Sequence, residues 1–266
     1  MIDIVGYGFA VLMGVVLGLL GGGGSLLTVP ILVYLFKIPA ITATGYSLVI
    51  VAGTSLFGAI PYLRQTLVDF KIAALFAVPS MIGVFSARKW LLPALPKEMT
   101  VGLFSFTNDQ FVLVIFAVLV LIISVFMLKK KSGVKKAVPS RFPKWSFPIV
   151  VGFEGLFVGI VTGFVGAGGG FMIVPALMFF ANLPLRNAIA TSLVIISLKS
   201  FVGFLGDISS GVTFDWVFLM SFIAFTSLGV VLGAIVNKKI PVEWLRKGFA
   251  YLVMVMGVFI ILKEVY

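Results

Sequence analysis

The chain has 266 residues, of which 61% are hydrophobic and 11% charged, and it carries a net charge of +11. Soluble domains hold roughly 45–50% apolar and about 25% charged residues. The apolar excess here runs the whole length, which excludes a globular soluble protein and predicts an all-α polytopic membrane protein.

Cysteine and histidine are both absent. Disulfides, thiolate or imidazole metal ligands, and Ser-His or Cys-His nucleophiles are thereby removed, and no metal, cofactor or enzymatic role is expected. Apolar windows of about 18 residues or more recur, each able to cross roughly 30 Å of hydrocarbon as a helix. The ten-residue alternation of a membrane β-barrel is missing.

The N-terminus "MIDIVGYGFAV" has no basic residue before Lys37, so no cleaved signal peptide is expected. An apolar stretch at 3–20 runs into the glycines Gly21, Gly22, Gly23 and Gly24, followed by a shorter apolar stretch at 26–36. As one helix, 3–36 would be about 51 Å long. That exceeds a single crossing, so the glycines must break or reverse it. Spans are then predicted near 42–62, 70–92 and 110–128. "KKKSGVKKAVPSRFPK", Lys129 to Lys144, has seven basic residues and no acid. Beside apolar spans this reads as a cytoplasmic loop meeting anionic lipid headgroups, not as a nucleic-acid site. The pattern then returns: an apolar stretch at 148–165, glycines at Gly166 and Gly168–Gly170, a short stretch at 171–181, and spans near 187–205, 215–237 and 247–263. The chain divides into a first membrane repeat (1–128), a basic linker (129–147) and a second membrane repeat (148–266).

A shift of 145 residues aligns 18–63 with 163–208 without a gap. It superposes Gly21 on Gly166, Gly24 on Gly169, Pro30 on Pro175, Pro39 on Pro184, Ser47 on Ser192, Ser55 on Ser200 and Gly58 on Gly203. "SLVI" is identical at 47–50 and 192–195. Apolar composition inflates chance matches of Leu and Val, but not of aligned Gly, Pro and Ser. The chain is read as an internal duplication.

Charge orients it. If the chain reverses at each glycine run, each half makes an odd number of net crossings and the halves are inverted. The N-terminus then lies outside and the 129–147 loop inside. Fourteen basic residues face the cytoplasm and five (Lys37, Arg88, Lys89, Lys97, Lys263) the outside, with Lys199 left inside a span. The acidic segment "GDISSGVTFD" faces outward. Parallel halves would divide the charge about evenly, so the positive-inside rule favours inversion. Inverted repeats with broken helices point to a secondary transporter whose site lies near the midplane between the halves.

Glycine allows positive φ and close backbone approach. A glycine run that opens a helix leaves N–H groups without intrahelical partners, and such ends bind anions. Two of these, one per half, are predicted to meet near the centre. Ser25 is expected to cap the first short helix, with Gly170 in the equivalent place. Gly14/Gly18 and Gly155/Gly159/Gly163 have the small-xxx-small spacing of ordinary helix packing. Ser47, Thr54 and Gly58 share a helix face; their counterparts are Ser192, Lys199 and Gly203. Lys199 lies deep in its span, where an ionisable group is a functional hypothesis by default. It either counters an anion or pairs with Glu154 or Asp207. The hydroxyls of Thr44, Thr191, Ser55 and Ser200 either face an oxyanion or bond back to their own helix. Glu154 is a weaker candidate for proton relay, and Asp69 and Asp215 read as helix caps. The predicted anion site comprises Gly22, Gly23, Gly24, Ser25, Ser47, Thr54, Gly168, Gly169, Gly170, Thr191, Ser192 and Lys199.

The doubled G-x-G-G-G-x-x-x-V-P-x-L pattern at 21–32 and 166–177, with "ATSLVII" at 190–196, resembles the TauE/SafE family of sulfite exporters. The first copy departs from it, with Gly22 added and Ser25 in place of a glycine. The resemblance implies a multi-pass carrier of small, often sulfur-containing anions such as sulfite, sulfoacetate or thiosulfate in a prokaryotic plasma membrane. It does not fix substrate, direction, coupling proton or ion, or oligomeric state, and Lys199 is not carried over from it. A passive anion channel on the same scaffold is the alternative. An intramembrane enzyme acting on lipid phosphate is disfavoured by the lack of His and of carboxylate clusters with Arg.

Overall fold

The computed structural model describes residues 2–22, 24–96, 98–101, 104–129, 147–166, 168–237 and 239–265. The first half comprises α1 (Ile2–Leu20), α2 (Ser25–Pro30, continued as a π-helical turn over Ile31–Leu35), α3 (Ala40–Leu63), α4 (Phe70–Ser86, continued as a π-helical turn over Ala87–Leu91) and α5 (Asn108–Lys129). The second comprises α6 (Phe147–Val165), α7 (Gly170–Phe179), α8 (Leu185–Ser209), α9 (Trp216–Asn237) and α10 (Val242–Val265).

The fold is helical throughout its apolar segments, with one short ribbon between two of them. Between α4 and α5, β1 (Glu98–Val101) pairs antiparallel with β2 (Phe104–Thr107). "EMTVGLFSFT" is rich in the β-branched and aromatic residues that suit a pleated ribbon, and it is too short to span a membrane.

Among the described residues, α3, α4 with its π-helical turn, α6, α8 and α9 are long and apolar enough to cross a membrane. Their outer faces carry large apolar side chains such as Phe153, Val217 and Leu228. Such a surface suits lipid and not water. This is a multi-pass membrane protein.

Elements beginning at 2, 25 and 40 have counterparts beginning at 147, 170 and 185, the spacing of the sequence repeat; α4 and α9, beginning at 70 and 216, are one residue out. Close contacts give the helix directions. Gly14 lies against Thr226 and Gly18 against Val230, while Gly229 meets Val11 and Gly233 meets Val15, so α1 and α9 run the same way. Gly155, Gly159 and Gly163 meet Phe76, Ser80 and Val84 in the same sense along α4. Along α3 and α8 the order reverses: Gly45 faces Asp207, Gly203 faces Leu48, and Gly58 faces Leu193. α3 runs with α9, through Thr54 with Thr226 and Gly58 with Val230. α4 runs with α8, through Asp69 with Thr191 and Val84 with Gly203. α1, α3 and α9 therefore run one way, and α4, α6 and α8 the other.

The small residues on α1, α6 and α9 let backbones touch. A methyl group added to Gly14 would lie 2.1 Å from the Thr226 carbonyl oxygen, and one on Gly159 2.3 Å from that of Ser80. These are packing glycines, in line with their spacing.

Candidate anion site at the glycine turns

α1 ends at Leu20 and the chain turns at Gly21, which has φ +67°. Its counterpart Gly166 has φ +72°, followed by Gly168 and Gly169 at +61° and +71°. Side chains rarely adopt this backbone, which is why glycine occupies it four times.

The two turns touch. A Cβ on Gly22 would lie 2.2 Å from Gly170 Cα, and one on Gly170 would lie 2.1 Å from Gly22 Cα. The contact sits halfway along the central helices: Gly170 also abuts Ile196, and Gly168 abuts Val51. Val51 and Ile196 are each the twelfth residue of α3 and α8, and are counterparts in the repeat.

The first turn is closed by neutral hydrogen bonds. Tyr62 Oη donates to the Gly18 carbonyl (2.8 Å), Asn237 Nδ2 donates to the Leu19 carbonyl, and Ser192 Oγ donates to the Gly21 carbonyl (2.6 Å). These carbonyls end α1 and have no helical partner of their own. Ser25 Oγ donates to the Gly22 carbonyl at 2.6 Å. This corrects its expected role: the cap of α2 is Gly24 with no side-chain bond, and Ser25 is the first helical residue. With no side chain at the cap, the serine hydroxyl serves the turn instead.

The second turn carries charge. Lys199, fully buried on α8, donates from Nζ to Thr162 Oγ1 on α6. Its Nζ lies 2.6 Å from where a Cβ on Gly169 would stand. Among the described residues no carboxylate lies within ion-pair distance of it. Neither Glu154 nor Asp207 is its partner. Asp207 instead pairs with Arg88, Nη1 to Oδ1 at 3.4 Å, with side-chain exposures of 1% and 3%. Arg88 Nη1 also donates to Thr44 Oγ1 at 3.0 Å. Arg88, counted from sequence with the outer-side charges, and Asp207, in the segment expected to face outward, are thus both buried. Arg88 lies in a π-helical turn, in which Leu92 N bonds Ala87 O at 2.8 Å.

The remaining predicted residues divide. Ser47 is buried with no partner among the described residues, as is Ser200. Thr54 is a helix contact, its hydroxyl bonded to that of Thr226 at 2.7 Å. Thr191 Oγ1 accepts from Asp69 N at 3.0 Å, so it braces the start of α4. Asp69 and Asp215 cap α4 and α9, accepting from Ile72 N and Phe218 N. Ser55 bonds back to Val51 O. Gly24 packs on Met13 and Leu17 of α1. Gly23 lies outside the described residues. Gly22, Gly168, Gly169, Gly170 and Lys199 are brought together; Arg88 and Thr162 join them and were not expected.

This pairing of glycine turns in an apolar, multi-helical chain has a family. Residues 7–260 match the family model described as Sulfite exporter TauE/SafE. The chain belongs to the TauE/SafE family. It is 30% identical over 233 residues to a probable membrane transporter protein, YdhB, of Bacillus subtilis, covering 86% of this chain and 88% of that protein. A probable membrane transporter protein of Xylella fastidiosa is 28% identical over 265 residues, covering 98% and 95%. A third, MJ0441 of Methanocaldococcus jannaschii, is 24% identical over 270 residues, covering 95% and 94%. No solved structure matches the chain. As a TauE/SafE protein it is a membrane transporter by family.

Proposed function

We propose that this TauE/SafE protein is a secondary carrier of a small oxyanion of the sulfite, sulfonate or thiosulfate type in the plasma membrane. The anion binds at the glycine turns, near Lys199, as the two hairpins part. One observation carries the reading: the turns meet at mid-height with a fully buried lysine against the second of them. A buried cation in a span with a hydroxyl for its neighbour is costly, and an anion beside it would relieve that cost. The glycine backbone permits a ligand to approach N–H groups that a side chain would shield.

Alternating access follows from inverted repeats. The opposite directions of α3 and α8, and of α6 and α1, support that arrangement. With Arg88 assigned to the interior, the outward basic count falls from five to four against fourteen inward, which strengthens the orientation with N-terminus out and 129–147 in. Gly22 against Gly170 closes the path between the turns, so passage requires the hairpins to part. A carrier moves its substrate in that way, whereas a channel holds an open path.

The direct test is binding of sulfite, thiosulfate, a short sulfonate and phosphate to purified protein by isothermal titration calorimetry. Saturable binding of at least one sulfur oxyanion is expected. Binding of none contradicts the reading.

A further inference from the structure

The Arg88–Asp207 pair is poorly made for a structural ion pair. It has one contact at 3.4 Å. Arg88 Nε and Nη2 and Asp207 Oδ2 are buried with no hydrogen-bond partner among the described residues. A guanidinium is a planar fork suited to grip a carboxylate through two parallel bonds. Here two of its three nitrogens are unused in a site where unpaired donors are costly.

The unused edge has a direction. Arg88 Nη2 would lie 2.5 Å from a Cβ on Gly166, the glycine that opens the second turn. Lys199 Nζ occupies the same relation to Gly169, three residues on. Two buried cations thus flank one glycine turn. The repeat places uncharged residues in the matching positions: α4 and α9 are one residue out, so the counterpart of Arg88 is Ala234, and that of Lys199 is Thr54. Arg88 also sits in a π-helical turn, an irregularity frequent at functional sites. Among the described residues Arg88 is the one ion-pair partner of Asp207, and Gly45 of α3 faces Oδ2, with Phe214 beyond.

We propose that Arg88 is a second anion-binding group, whose guanidinium edge takes an oxygen of the oxyanion at Gly166 while Lys199 serves the Gly169 side, in competition with Asp207. This rests on the carrier reading and extends it. Two cations on either side of a turn select a ligand with at least two acceptor oxygens over a halide.

Competition makes the proposal testable by a substitution that strengthens binding. Thiosulfate and chloride affinities are measured by calorimetry for the unmodified protein, D207N, R88M/D207N and R88K. D207N frees Arg88 and should bind thiosulfate about 3- to 10-fold tighter, within the range of charge couplings between sites. R88M/D207N removes both charges together, so it leaves no lone buried ion to unfold the protein. It should bind at least about tenfold more weakly than D207N. R88K keeps the charge but loses the fork, and its preference for thiosulfate over chloride should shrink. A D207N affinity equal to or below that of the unmodified protein overturns the assignment, as does a double variant that keeps the tightened affinity. Absence of anion binding by the unmodified protein contradicts the carrier reading itself.

Discussion

Gly22 and Gly170 meet backbone to backbone, so that a Cβ on either would fall within 2.2 Å of the other's Cα. They belong to different halves of the chain and lie 148 positions apart in the sequence. Everything proposed for this protein depends on that meeting.

The contact leaves no room for a methyl group. Gly170→Ala must push α7 off the first turn, and overpacking of this kind costs about 1–3 kcal/mol. Reduced thermal stability and loss of most anion transport are expected, measured by melting in detergent and by uptake into proteoliposomes. Gly8→Ala, on α1 with nothing within 4 Å of the added atom, serves as the control and should change neither.

Thr54 and Thr226 bond to each other and not to the turns. Hydrogen bonds between membrane helices average about 0.6 kcal/mol. Thr54→Val should lower stability slightly and leave anion affinity unchanged. A tenfold loss of affinity with an unaltered melting temperature would return Thr54 to the anion site.

Thr162 is the sole hydrogen-bond partner of Lys199 among the described residues. Thr162→Val strands the ammonium group, while Thr162→Ser keeps the hydroxyl. The valine variant should be the less stable of the two without anion, and saturating thiosulfate should raise its melting temperature more than that of the serine variant. Equal shifts would separate Thr162 from the anion.

The helix order was legible because glycine and proline punctuate the apolar stretches twice at one spacing. The capping aspartates 69 and 215 were legible for the same reason: a cap is local. Partners across helices were not. Nothing in "ARKWLLP" distinguishes a buried arginine from an interfacial one, since basic residues beside a tryptophan are also the mark of a membrane boundary. Arg88 lies in the π-helical turn over Ala87–Leu91 and meets Asp207 from another helix, a relation no local pattern encodes. Thr162 escaped notice because the repeat places a leucine, Leu17, in its position. Ser25 was assigned a cap because serine favours that position, but the turn places Gly24 there.

Opposite helix directions predict opposite accessibility. Thr66 and Gly211 are exposed, just beyond the ends of α3 and α8. With no native cysteine, Thr66→Cys and Gly211→Cys can each be introduced alone and labelled in intact cells with an impermeant maleimide. Gly211→Cys should label from outside and Thr66→Cys only after permeabilisation. Labelling of both from one side would refute the inverted arrangement.

The central claim is that an anion is carried between the glycine turns against Lys199. Counterflow tests it most directly: proteoliposomes preloaded with unlabelled thiosulfate are diluted into a trace of the labelled anion. The unmodified protein should accumulate label transiently above equilibrium, and Lys199→Met, folded by its melting curve, should not. Equal counterflow in the two proteins would contradict the account.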